Sequence, residues 1–214
     1  MLPELHRTSQ TSSATVFAFM LGVALTGCTS TMDFGSQSVA DYASPQKNLT
    51  ICSGYGCIIK DKMSFDDPVL QDLTVIMDKG KGSAAEEREA LFQAIAYMEK
   101  AVRDEIRFSP DVEYSYQRNA GKRGQMDCVD ESLNTLTFLK YLKRNGLLRY
   151  HIPLKHYAER GLLVDGRYPH KSARMLDDQG VSWAVDSWKG PNGTRPEIIT
   201  LAKWYKGRNT AQQY

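Results

Sequence analysis

From Cys128 to Asn145 apolar residues recur at helical spacing, and beyond Gly146 the chain changes at once to short extended runs. A helix that feeds directly into strands is the signature of an α+β domain. Val129, Leu133, Leu136 and Leu139 or Leu142 form the expected buried stripe, and Gly146 is the C-terminal stop. A second amphipathic helix comes earlier. Ser83-Ala84-Ala85-Glu86 has capping-box form, in which serine and glutamate each satisfy an otherwise orphaned backbone N–H. Behind it Leu91, Ile95, Met98, Val102 and Ile106 recur three and four apart, and the run ends before Pro110.

Leu147 to Leu154 is apolar and extended. Pro169 to Leu176 then meets Val181 to Val185 across Asp177-Asp178-Gln179-Gly180, a hairpin with a polar, glycine-containing turn. Counting outwards from that turn puts His170 near the far end of one strand and Asp186 at the far end of the other, so the two should meet across the ladder. After the turn signal Asn192-Gly193, residues Ile198 to Tyr205 are expected as a short helix or an extended tail. The expected architecture is helices packed on an antiparallel sheet, with Cys128 on the central helix.

Residues 1–27 resemble a secretory signal. The apolar run Ala14 to Leu25 is a dozen residues, against about 20 for a membrane span, and it leads into Leu25-Thr26-Gly27-Cys28. That ending resembles a bacterial lipobox, which implies cleavage before Cys28 and diacylation of its sulfur. With Thr29 rather than Asp after the anchor, the expectation is an outer-membrane lipoprotein facing the periplasm, held to the membrane by lipid alone. Residues 28–48, rich in Ser, Thr, Gln and Asp, would be a flexible tether, and 49–214 one domain. A formal net charge of +2 and no basic run interleaved with aromatics argue against a nucleic-acid partner.

Four cysteines in an oxidising compartment, one of them lipidated, leave Cys52, Cys57 and Cys128. In Ile51-Cys52-Ser53-Gly54-Tyr55-Gly56-Cys57 two glycines let the chain turn back, so Cys52–Cys57 is the favoured bridge, clipping an N-terminal extension over residues 48–78. A metal site is the rival use of this spacing, without a second Cys/His pair to complete it. Cys128 then remains as the free thiol, provided that neither of the other two sulfurs takes it.

A thiol at a helix start gains from the helix dipole, and an imidazolium beside it lowers its pKa further. Cys128 precedes His170 by 42 residues, and His170 precedes Asp186 by 16. Thiol, imidazole and carboxylate together allow covalent acyl transfer without a cofactor. The base takes the thiol proton, the sulfur attacks a carbonyl, and water or an amine resolves the thioester. Gln125, three residues upstream, is the oxyanion-hole candidate beside the Cys128 N–H, with a structural loop role as its alternative. Asp130 and Glu131 are expected as first-turn helix carboxylates. His151 and His156 are rival bases without a carboxylate in a matching hairpin. Trp183, Trp188 and Trp204 could line a cleft, although core packing is expected of at least two of them.

A Cys at a helix start, a His about forty residues on at a strand start, and an Asp closing the next strand in Trp183-Ala184-Val185-Asp186-Ser187-Trp188 resemble the transglutaminase-like branch of the papain-like superfamily. The likeness covers Gly121 to Trp188. It implies a cysteine peptidase, amidase or transglutaminase acting on a peptide or protein substrate, with Cys128 as nucleophile, His170 as proton relay and Asp186 as its orienter. The sequence departs from the family in lacking an aromatic before the Cys and in having Pro169-His170-Lys171-Ser172 at the His. Asp-Cys at a helix start is also similar to the NlpC-type cell-wall endopeptidases, which usually continue Ser-Gly where this chain has Val129-Asp130. The non-enzymatic alternative is an envelope lipoprotein that keeps the fold as a binding or assembly module.

Overall fold

The computed structural model describes residues 42, 44–107, 119–161, 169–188, 190 and 193–207, so Cys28 and the expected signal segment lie outside the described residues. Helices pack on antiparallel sheets, as an α+β domain requires. No helix among the described residues is long and apolar enough to cross a membrane.

Residues 48–78 are more ordered than a clipped extension. Strands β1 (Asn48–Ser53) and β2 (Ile59–Ser64) pair antiparallel, and α1 (Asp67–Asp78) follows. Asp66 caps α1 by accepting from the Val69 N–H at 3.0 Å, with a proline in the first turn where no donor is needed. Helix α2 (Ala84–Ile106) begins on the Ser83 cap, whose side chain accepts from the Glu86 N–H. Its stripe of Leu91, Ile95, Met98 and Val102 is buried against α3 and β1 side chains such as Phe138, Leu139 and Ile51.

Helix α3 (Cys128–Arg144) has the expected span, with Gly146 beyond it at a positive φ of 72°. Its inner face differs from the apolar stripe. Val129 and Leu133 are only half-buried, whereas Asp130, Glu131, Ser132, Asn134 and Thr135 are buried. The first two turns face polar backbone rather than core. Asn134 brackets Cys52, accepting from its N–H at 2.7 Å and donating to its carbonyl at 2.9 Å, while Thr135 and Ser187 hydroxyls meet at 2.6 Å. Only from Leu136 onward does the helix bury the apolar residues that the periodicity called for.

Behind α3 lies a sheet in the order β3-β5-β6-β7, with β4 also on β5. Its strands are β3 (His151–Pro153), β4 (Ala158–Arg160), β5 (His170–Asp177), β6 (Ser182–Asp186) and β7 (Glu197–Thr200). The expected extended run 147–154 shrinks to β3. The hairpin is the expected one, with Ala173 opposite Val185. Extending that register puts Ser172 opposite Asp186 and His170 one pleat further on the same face, a diagonal pair. Helix α4 (Leu201–Lys206) follows β7 directly and lays Trp204 into a small apolar cluster with Ala184 and Leu201.

Candidate active site

The N-terminal end of α3 is built from carboxylates. Asp127 is the N-cap, its Oδ1 accepting from the N–H groups of Val129 and Asp130 at 3.0 Å each, and Asp130 completes a capping box by accepting from the Asp127 N–H. Cys128 is therefore the first residue of a helix whose positive end is already met by a fixed anion.

Cys52 and Cys57 are joined in a disulfide, so their sulfurs are bonded to one another rather than held ready for a metal. Between them the backbone runs through four successive positive φ angles, at Gly54, Tyr55, Gly56 and Cys57. For Tyr55 and Cys57 that conformation costs roughly 1–2 kcal/mol each. It turns consecutive N–H groups to one side, an anion-binding nest. The anions are Asp127 and Asp130: Tyr55 and Cys57 donate to Asp130 at 2.8 and 2.6 Å, and Gly56 donates to Asp127 at 3.2 Å. The Gly54 N–H donates to the Gln125 carbonyl and its own carbonyl accepts from Gly121. Closing so short a loop contributes about 2 kcal/mol on the chain-entropy estimate, which offsets much of the strain.

Burial, with Asp127 beside it, pushes the Asp130 carboxyl up to about 7 even though three backbone N–H groups pull the other way. An acid whose folded pKa lies above its unfolded value favours the fold while protonated. Its contribution is complete below about pH 4 and disappears as pH rises through about 7. Between those limits the unfolding free energy measured in urea should fall with rising pH, by on the order of 1 kcal/mol per pH unit at most. In Asp130→Asn that slope should flatten. An unchanged slope would place the titration elsewhere.

Across from this end stands His170, fully buried at the start of β5. Its Nε2 lies 2.6 Å from Asp186 Oδ2. A carboxylate only accepts, so Nε2 carries the proton and Nδ1 is the basic nitrogen. Nδ1 is buried and has no hydrogen-bond partner among the described residues. The Trp188 ring lies 4.8 Å from the imidazole and the Trp204 ring 5.7 Å, centroid to centroid. Trp183 is at the other end of the hairpin, its ring under Arg88 and its N–H on Asp177.

Among the described residues Cys128 is the free cysteine, and it is buried. The backbone N–H of Lys171, the residue after His170, is near enough to the Cys128 sulfur to favour the thiolate, which places the start of α3 beside the start of β5. The thiol does not have the lowered pKa expected of a helix start. Burial pushes it up to about 11, with Asp127 and Asp186 adding to the rise and the Lys171 N–H opposing it. The dipole that would have favoured the thiolate is spent on Asp127. The resting group is a neutral thiol.

Gln125 is buried, with its backbone tied between Gly54 and Lys122. The rival base His151 does have a carboxylate after all. Its Nδ1 is 2.7 Å from Glu87 Oε2, but its Nε2 is taken by Arg88 at 3.1 Å, so neither ring nitrogen can accept a proton from a thiol. His156 is exposed and contributes only its carbonyl, to Arg174. No family model matches the sequence, and no curated protein or solved structure is significantly similar to it.

Proposed function

We propose that this chain is a cysteine-dependent acyl-transfer enzyme acting on peptide or amide bonds, on a transglutaminase-like, papain-like core, with Cys128 as nucleophile, His170 as base and Asp186 as the group that orients the base. One observation carries the reading: His170 is held through Nε2 by Asp186 while Nδ1 is left basic and unpartnered, one residue from the N–H beside the Cys128 sulfur. Because the thiol is neutral at rest, sulfur attack and proton transfer to Nδ1 occur together as the carbonyl is engaged. Asp186 then stabilises the imidazolium. The carbonyl oxygen develops negative charge against the Cys128 N–H, the helix donor that precedes the two taken by Asp127, with Gln125 as the second candidate donor. Collapse gives a thioester on Cys128 and returns the proton from His170 to the leaving amine; water or an amine releases the acyl group. The run Leu25-Thr26-Gly27-Cys28 supports a lipid anchor that would hold this domain on the periplasmic side of an outer membrane.

The test is acylation by p-nitrophenyl acetate followed by peptide mass spectrometry. An acetyl group on Cys128, formed in the native chain and absent from Cys128→Ala, is the expected result. A folded chain in which Cys128 stays unmodified would overturn the proposal. The buried, neutral thiol favours a second reading in that event, an envelope module that binds without catalysis, since a lone buried cysteine behaves as a small hydrophobe.

A further inference from the structure

Asp186 Oδ2 accepts from His170 Nε2 and also, at 2.9 Å, from the indole Nε1 of Trp204. The indole lies fully buried on α4, a six-residue helix otherwise remote in sequence from the site. Its placement is over-determined. The Arg160 guanidinium lies 4.3 Å from the Trp204 ring, and Arg160 Nη1 donates to the Trp204 carbonyl, which also accepts from the Gly207 N–H. Arg160 is in turn the cross-strand partner of His170. A Cβ on Gly207 would meet Arg160 Nη1 at 2.5 Å, so a larger residue there would require the guanidinium to shift.

We infer that Trp204 is a positioning residue for the acyl-transfer site, acting on His170 through Asp186; this rests on the catalytic reading proposed above. An indole can only donate. Against Oδ2 it keeps the oxygen an acceptor, fixes the carboxylate plane toward Nε2, and so holds the imidazole in the tautomer whose free lone pair is on Nδ1. Removing it frees the carboxylate to turn, so the orientation of His170 and its tautomer loosen. Among the described residues, the charged or titratable groups at this corner include Cys128 from α3 with Asp127 at its cap, Arg160 from β4 and Lys171 from β5, the last paired to Glu159 at 2.9 Å. Trp204→Phe keeps an aromatic ring under Arg160 and the backbone carbonyl that Arg160 donates to, and removes the indole donor.

The experiment is long-range proton–nitrogen NMR of the His170 ring in the full chain, in the native protein and in Trp204→Phe. The native ring should show the proton on Nε2. The variant should show the two tautomers mixed, with acetylation of Cys128 slowed about tenfold to a hundredfold. An identical tautomer in a folded variant would overturn the inference. Should Trp204→Phe not fold, the reciprocal change decides: Asp186→Asn must shift the Trp204 indole proton, and an unmoved indole proton refutes the contact's role. The two proposals separate cleanly. A changed tautomer in the variant with no acetylation in the native chain sinks the catalytic reading alone; normal acetylation with an unchanged tautomer sinks this one alone.

Discussion

His170→Ala is expected to slow acylation of Cys128 by about 10²–10⁴-fold, the range for loss of a general base, while leaving the chain folded. The size follows from the state of the nucleophile. A thiol pushed up to about 11 supplies almost no thiolate near neutrality, so Nδ1 must take the proton during attack. The pH dependence separates this from a mere change in packing. In the variant the sole route to the thiolate is direct ionisation, and the rate should climb about tenfold per pH unit toward pH 11. In the native chain it should level off well below that. Stopped-flow rates with p-nitrophenyl acetate across pH would show parallel curves if His170 were not the base.

Glu87→Ala should cost about 3–5 kcal/mol of stability, because it strips a buried carboxylate from several donors at once. Glu87 is almost fully buried, and its two oxygens take the N–H groups of Arg149, Tyr150 and His151 and the His151 ring. Alanine leaves these donors desolvated without an acceptor, each a penalty of roughly 1–3 kcal/mol before relaxation. Arg88, stacked 3.7 Å over Trp183 and bonded to His151, loses its anchor as well. Against a total stability of 5–15 kcal/mol, typical of single domains, that is a large share. Urea unfolding of the two chains measures it, and a loss under 1 kcal/mol would show that solvent reaches these groups.

The hairpin and its two site residues were legible because strand geometry has a fixed period. Once the turn at Asp177 to Gly180 is placed, counting brings His170 and Asp186 to one end, off by a single pleat from direct opposition. The spans of α2 and α3 were equally legible, from caps and stops that act locally. What was not legible is side-chain capture of distant backbone. Asp130 meets the N–H of Cys57 from 73 residues away and Glu87 that of His151 from 64, and a carboxylate four residues into a helix looks like a solvated one. The inversion of the first turns of α3 has the same origin, since a polar inner face pairs with partners that no period announces. Trp204 was visible as a tryptophan, but the contact that gives it meaning depends on where β7 delivers α4. The glycines of Gly54-Tyr55-Gly56-Cys57 were legible as a turn that closes the bridge, but not the positive φ at Tyr55 and Cys57 that completes the nest.

The neutral, enclosed state of Cys128 also bears on how an unpaired sulfur coexists with a bridge in one small fold. Thiol–disulfide exchange proceeds through the thiolate, and a group with a pKa of about 11 has about one molecule in ten thousand ionised at pH 7. Scrambling between Cys128 and the Cys52–Cys57 pair is slowed relative to an ordinary thiol, because less thiolate is present, before any question of reach arises, and attack by peroxide is slowed in the same way. The fold can thus keep Cys128 reduced beside a formed bridge with no separate device to protect it.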